Sequence, residues 1–243
     1  MSSLRHLRVP IQWALLVALA YLIALFVAWQ LLLKVDFVYP LWYEVLSIEQ
    51  TIARYGPQNR YREGFETTTK KERVRLFSTI VAAVHEQGKG LDKLVYHDAL
   101  GHPIASLLTS PEIVHLQDVS RLLELMARLG WGTIIAWFAL LGLSRLQRLP
   151  MPPLRILLLM AVKGLAGIAI IIVVLGPVTV FYSLHSWVFP TGHPWFFYYQ
   201  DSLMTLLMKA PAIFGCIAVA LAVLSFLLLT VILLFAKQLY QRI

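Results

Sequence analysis

Cysteine occurs once in 243 residues, as Cys216, inside an apolar run. No intrachain disulfide, cysteine-rich metal centre or paired-thiol chemistry can be built from one thiol, and a small packing residue is its expected role. Charge is also scarce. Asp, Glu, Lys and Arg make up 14% of the chain, against about 25% in a soluble domain. Hydrophobic residues make up 59% and the mean hydropathy is +0.72, so an integral membrane protein is expected. The sequence contains no G-x-S-x-G elbow, no glycine-rich phosphate loop and no H-E-x-x-H pair. It therefore shows none of the usual signatures of serine hydrolases, phosphate binders or zinc proteases. For an enzyme built this way, the attacking group is expected to come from the substrate.

Four apolar stretches are present, at about residues 11–33, 129–144, 156–182 and 211–236. The first, 23 residues long, reaches about 34 Å as a helix, enough for a hydrocarbon core of about 30 Å. It has no small-x-small cleavage site after it, so it reads as a retained span rather than a signal peptide. Lys163 lies inside the third stretch and is expected to snorkel towards the surface. The formal net charge is +8, and its placement is informative. With four spans, Arg5, Arg8, Arg145, Arg148, Arg155, Lys237 and Arg242 fall on one side, where no acidic residue falls. That pattern puts both termini in the cytoplasm. The excess is topological and gives no support for nucleic-acid binding.

The polar part covers residues 36–128 and carries eleven Lys or Arg and twelve Asp or Glu. Residues 40–54 read as one amphipathic helix with Leu41, Val45, Ile48 and Ile52 on a common face. Thr69 can cap a second helix, in which Val74, Phe77, Ile80, Val81 and Val84 recur at helical spacing. Residues 93–108 read as two short strands around a glycine-containing turn, with His97 and His102 as solvated turn residues. Thr109-Ser-Pro-Glu112 is a helix start of the capping-box kind. The helix it opens carries His115, Asp118 and Leu122 on one face and runs on into the second span. The expected fold is an all-α integral membrane protein, a single domain over residues 1–243, with four transmembrane helices and an α+β extracytoplasmic insertion between spans 1 and 2.

Between the last two spans, residues 183–208 hold the stretch H-S-W-V-F-P-T-G-H-P-W-F-F-Y-Y-Q-D-S, from His185 to Ser202. Pro190, Gly192 and Pro194 break helical continuity. Its many Trp, Tyr and Phe residues suit the membrane–water interface. His115 and His185 are then each one short step outside a span, on the same face, with Asp118 and Asp201 on that face too. Such a set can do general acid–base work: a neutral imidazole accepts a proton, and a carboxylate fixes its tautomer. The same residues are metal-ligand types, but their long-range spacing specifies no metal site.

Two motifs carry a resemblance to a known family. One is Glu112-Ile113-Val114-His115-Leu116-Gln117-Asp118-Val119, just before the second span; the other is the H-x-x-x-F-P-x-G loop, followed by Trp, Phe and D-S-L. With the four-span layout, they resemble the bacterial lipoprotein intramolecular transacylases, the Lit family. The loop departs from the family pattern in Thr191-Gly192-His193-Pro194-Trp195, with an apparent extra residue. The resemblance implies a multi-pass enzyme of the bacterial cytoplasmic membrane with its site on the extracytoplasmic face. The implied reaction moves the sn-2 acyl chain of an S-diacylglyceryl cysteine to the α-amine of that cysteine, giving the lyso-form lipoprotein. The implied catalytic pair is His115 and His185. Glu112, Asp118 and Asp201 are expected to support or orient them, and Gly192, Trp195, Phe189 and Ser202 to bind substrate or the oxyanion. The implied partners are the diacylglyceryl-modified lipoprotein and membrane lipid; no cofactor, metal or nucleic acid is expected. Two other readings of the residues stay open at this point. One is an interfacial phospholipid acyltransferase or lipase. The other is a non-enzymatic membrane sensor or assembly factor with residues 36–128 as its ligand module.

Overall fold

The computed structural model of the protein describes residues 2–242; the side chains of residues 2–8 and 242 lie outside that description, and with them those of Arg5, Arg8 and Arg242 in the basic set. In chain order the elements are α1 (Ser2–Leu33), α2 (Tyr39–Val45), α3 (Ile48–Tyr55), α4 (Lys70–His85), β1 (Val95–His97), β2 (Pro103–Ser106), α5 (Ser110–Leu146), α6 (Leu154–Leu175), α7 (Pro177–Val188), α8 (Leu203–Met208) and α9 (Ala212–Arg242). Among the described residues four helices are long and apolar enough to cross a membrane: Val9–Leu33, Ser110–Leu146, Leu154–Leu175 and Ala212–Gln241. In a bilayer a helix satisfies its own backbone, which is why the apolar stretches take this form. The chain divides into two compact units. One comprises Met1–Gln30, Ala127–Ser183 and Leu221–Ile243; the other comprises Leu31–Met126 and Leu184–Ala220.

The first unit is a helical bundle. Trp13, Leu16, Ala20 and Ala24 of α1 pack with Trp137 and Leu141 of α5, Leu157 and Ala161 of α6, and Leu229, Leu233, Ala236 and Tyr240 of α9. Alanines at the contacts let backbones approach, as expected where lipid removes the hydrophobic drive for helix association. The approach is closest at Gly130, where an added Cβ would lie 2.5 Å from the Phe26 ring. That ring is in turn set edge-on to Trp131 at 5.6 Å. Polar contacts hold the opposite end. Tyr240 Oη donates to the Leu149 carbonyl at 2.7 Å, and Gln12 Nε2 donates to Ser144 Oγ at 2.7 Å. Lys163 is exposed on α6. The third apolar stretch, read from sequence as 156–182, is divided: α6 ends at Leu175, and Gly176, at φ +83°, separates it from α7. Pro177 has no N–H to donate and so suits the first position of the new helix.

The second unit is mostly helical with one small sheet. β1 and β2 pair antiparallel, Val95 opposite Ser106 and Tyr96 opposite Ala105. The expected single helix over 40–54 is instead α2 and α3, because Ser47 is left-handed at φ +50°. That break resets the helical phase. Tyr39 and Tyr43 are the buried residues of α2, while Leu41 and Val45 are exposed and Ile48 and Ile52 alone keep their expected burial. Tyr39 stacks on Phe77 with ring centroids 3.9 Å apart and donates its hydroxyl to the Leu207 carbonyl at 2.7 Å. Thr69 caps α4 by accepting from the Glu72 amide at 3.2 Å. Buried Arg73 is fully engaged, donating to Tyr43 Oη, Thr68 Oγ1 and the Glu66 carbonyl. A buried guanidinium needs such partners to offset its lost hydration.

Of the two hairpin histidines, His102 is the solvated residue expected and His97 is not. His97 lies half-buried with Nδ1 2.9 Å from Glu72 Oε1, and the His97 amide donates to the same oxygen at 3.0 Å. Partial burial pushes the Glu72 carboxyl up, but hydrogen bonds from Arg75 and His97 outweigh it and hold it down at about 2. His102 is exposed and lies 3.2 Å from Asp98.

The tight contact at Gly130 gives a direct test of the bundle. Gly130→Ala lowers stability by about 1–3 kcal/mol, the usual cost of overpacking. Gly132→Ala, whose Cβ meets nothing within 4 Å, leaves it unchanged. Thermal melting in detergent of the two variants beside the unmodified protein makes the comparison.

Candidate active site

α5 begins at Ser110, and its first turn is organised by a carboxylate. Glu112 is fully buried. Its Oε2 accepts from the Thr109 amide and the Thr109 hydroxyl, both at 2.6 Å. This is the reach-back half of a capping box. Oε1 accepts from Ser202 Oγ at 2.5 Å. Ser202 in turn caps α8, accepting from the Thr205 amide at 2.9 Å. The aromatic stretch therefore ends in a short helix, Leu203–Met208, and was not expected to do so. It also begins in one: His185 belongs to α7, which continues to Val188. The irregular part of the loop is thus Phe189 to Asp201.

One turn into α5, His115 faces that loop. Its ring centroid lies 5.0 Å from Phe189 and 6.1 Å from Phe197. Phe189 is also 5.4 Å from His185, and His185 is 4.8 Å from Trp195. The two histidines, 70 positions apart in the chain, therefore share one aromatic wall. The loop turns between those aromatics. The His193 amide donates to the Pro190 carbonyl at 3.2 Å, and Gly192 sits at φ +93°. A turn with positive φ at its third residue favours glycine there.

The two aspartates have separate partners. Asp118 is buried, with Oδ1 3.1 Å from Arg121 Nη1 and Oδ2 2.6 Å from His193 Nδ1. Asp201 pairs with Arg60 at 3.1 Å, and the Arg60 amide donates to the Gln200 carbonyl at 2.8 Å. The structure thus brings together His115, His185, Phe189 and Trp195, sets Asp118 one turn beyond His115 on the same helix, and joins Glu112 to Ser202. Asp201 is held by Arg60. Gly192 serves the turn. Neither His193 nor Arg60 stood out in the sequence, because each matters through a residue far away in the chain. The one local cue was His193 itself, an added imidazole in the loop. Among the described residues no group of three or more His, Cys, Asp or Glu side chains is placed to hold a metal ion.

A model of the family described as lipoprotein intramolecular transacylase Lit matches residues 14–210. The chain belongs to the Lit family. It is an acyltransferase, and the Lit family acts on lipoproteins. The Lit match includes His115, His185 and the whole aromatic loop, and ends just beyond α8. A solved structure has the same fold: the in meso structure of the membrane integral lipoprotein intramolecular transacylase Lit from Bacillus cereus, carrying a single mutation. It aligns with TM-score 0.64 at 14% identity, covering 99% of this chain and 95% of the Bacillus protein. No curated protein matches. This Lit chain is a multi-pass membrane protein by its four apolar helices and by that neighbour.

The Glu112–Ser202 contact yields a stability prediction. Ser202→Ala leaves a buried carboxylate oxygen without its donor, which costs about 1–3 kcal/mol. Thr109→Val removes only one of the two donors on Oε2 and costs less. Chemical or thermal unfolding in detergent ranks the two.

Proposed function

We propose that this Lit-family chain moves the sn-2 acyl chain of an S-diacylglyceryl cysteine to the α-amine of the same cysteine, with His115 and His185 as the acid–base pair. The observation that carries the reading is the convergence of those two histidines on Phe189. An α-amine has a pKa near 7.7–8.0, so a fraction is neutral at neutral pH, and that form, with its lone pair free, is the one that attacks. One histidine, assigned as His115 on its long helix, takes the proton that the amine loses as its lone pair attacks the ester carbonyl. The tetrahedral intermediate then collapses. Its C–O bond to glycerol breaks, and His185 supplies the proton that the departing glycerol oxygen gains. The amide formed and the hydroxyl released balance the amine and ester consumed. Both reacting groups hang from one cysteine, so the protein has mainly to fold the substrate into attack geometry. Loop backbone N–H groups and the Trp195 indole N–H are the proposed oxyanion donors. Glu112, Ser202, Asp118 and Asp201 hold the helix and loop that carry the pair, and Phe189 with the other loop aromatics receives acyl chain.

The seven basic residues on one side support a reading with both termini in the cytoplasm and the site on the extracytoplasmic face of the bacterial membrane. Reporter fusions at residues 90 and 150 are expected to read outside and inside. An outside signal at 150 removes the shared-face argument.

The chemistry is tested with purified protein and matched diacylglyceryl lipopeptides, one with a free α-amine and one N-acylated. The free-amine peptide is expected to isomerise with no change in mass, its amide located by fragmentation, and the N-acylated peptide to stay unchanged. His115→Ala and His185→Ala are each expected to lower the rate by about 100-fold or more, while His102→Ala, exposed in the hairpin, retains it. Loss of one acyl group to free fatty acid from either peptide assigns the protein as a lipase instead.

A further inference from the structure

His193 is the one side chain of the loop turn with a charge-assisted bond to α5. The turn from Pro190 to His193, with Gly192 at φ +93°, delivers its Nδ1 to 2.6 Å from Asp118 Oδ2. A carboxylate only accepts, so Nδ1 carries the hydrogen. The Asp118 carboxylate is buried, and its other oxygen is taken by Arg121. Asp118 therefore cannot give His115 an unshared oxygen; it serves the loop. The positions on either side are informative. Phe189, just before the turn, contacts both His115 and His185. Trp195, just after it, contacts His185. The bond between His193 and Asp118 lies between the two aromatics that surround the histidine pair.

We propose that His193 is a positioning residue of this site: by donating to Asp118 it latches the turn against α5 and so fixes Phe189 and Trp195 around His115 and His185. The inference rests on the reading of that pair as acid and base. An imidazole suits the task because its donor is rigid and short-reaching, and a bond to a buried carboxylate is stronger than a neutral one. A rigid loop matters because a displacement of about 1 Å in a reacting group can cost about 100-fold in rate.

The test uses the full chain in lipid nanodiscs with the free-amine diacylglyceryl lipopeptide. His193→Ala is expected to lower kcat by about 100-fold with KM within roughly threefold, as for lost alignment rather than lost uniform binding. His193→Asn, which places an amide N–H where Nδ1 stood, restores most of the rate. Asp118→Ala matches His193→Ala, and the double variant is no slower than either single one, as for residues acting as a unit. The proposal is overturned by a wild-type rate in His193→Ala, by losses that multiply in the double variant, or by His193→Asn being as slow as His193→Ala. The last outcome assigns proton chemistry to the imidazole itself. Should His193→Ala not fold, Asn is compared with Gln, which reaches to the Nε2 position. Equal activity of those two overturns the latch. Failure of the underlying reading looks different: the unmodified protein then releases fatty acid or leaves the lipopeptide unchanged, whatever stands at position 193.

Discussion

The carboxylate of Glu112 has no exposed surface and holds the start of α5 against the end of the aromatic loop, 90 positions later in the chain. A buried carboxylate must have its oxygens bonded, and the cost of leaving one bare is comparable to a large share of a domain's net stability. That requirement couples two local events, the capping of α5 by Thr109 and Glu112 and the capping of α8 by Ser202. The tie sets the C-terminal end of the irregular stretch from Phe189 to Asp201, whose other end continues from α7. Three further contacts then locate it: His193 on Asp118, Arg60 on Asp201, and Phe189 on His115.

Much of the architecture is legible from local pattern. The four apolar stretches, the Thr69 cap, the hairpin and the helix start at Thr109 each depend on residues within a few positions of one another. The breaks were harder to see. Residues 39–55 keep helical periodicity across Ser47, but a left-handed residue there divides the helix and brings Tyr39 and Tyr43 inside instead of Leu41 and Val45. Gly176 likewise interrupts a run whose composition is uniformly apolar. Hydropathy sees side chains and not φ, so it passes over both. His185 was expected in irregular chain because Pro190 and Gly192 follow it, yet α7 persists to Val188. Proline disfavours helix mainly at the residue before it, here Phe189, so a helix that ends two residues upstream of Pro190 is left intact.

The site shows the same division. His115 and His185 could be singled out as interfacial imidazoles near carboxylates, and the family motifs coincide with them. Which carboxylate serves which group could not be read, because the pairing depends on distances across the fold. Both aspartates were expected beside the pair. Asp118 bonds His193 and Arg121, and Asp201 bonds Arg60. Asp118 and Asp201 each reach a loop contact, while the rings of Phe189 and Phe197 lie against His115.

The exposed rings of this region carry a consequence for the work of extraction. Trp187 is 84% exposed, Tyr198 64% and Phe196 50%, an aromatic surface suited to the zone between hydrocarbon and water. Lifting an acyl chain out of lipid into water costs about 0.8 kcal/mol per methylene, or roughly 12 kcal/mol for a sixteen-carbon chain. That alone would erase most of what an enzyme gains by good alignment. An enzyme whose reactive groups lie at ester depth avoids the climb: the chains stay dissolved in the bilayer and only the polar head is rearranged. In the reaction proposed above, the acyl group would pass from oxygen to nitrogen without changing phase.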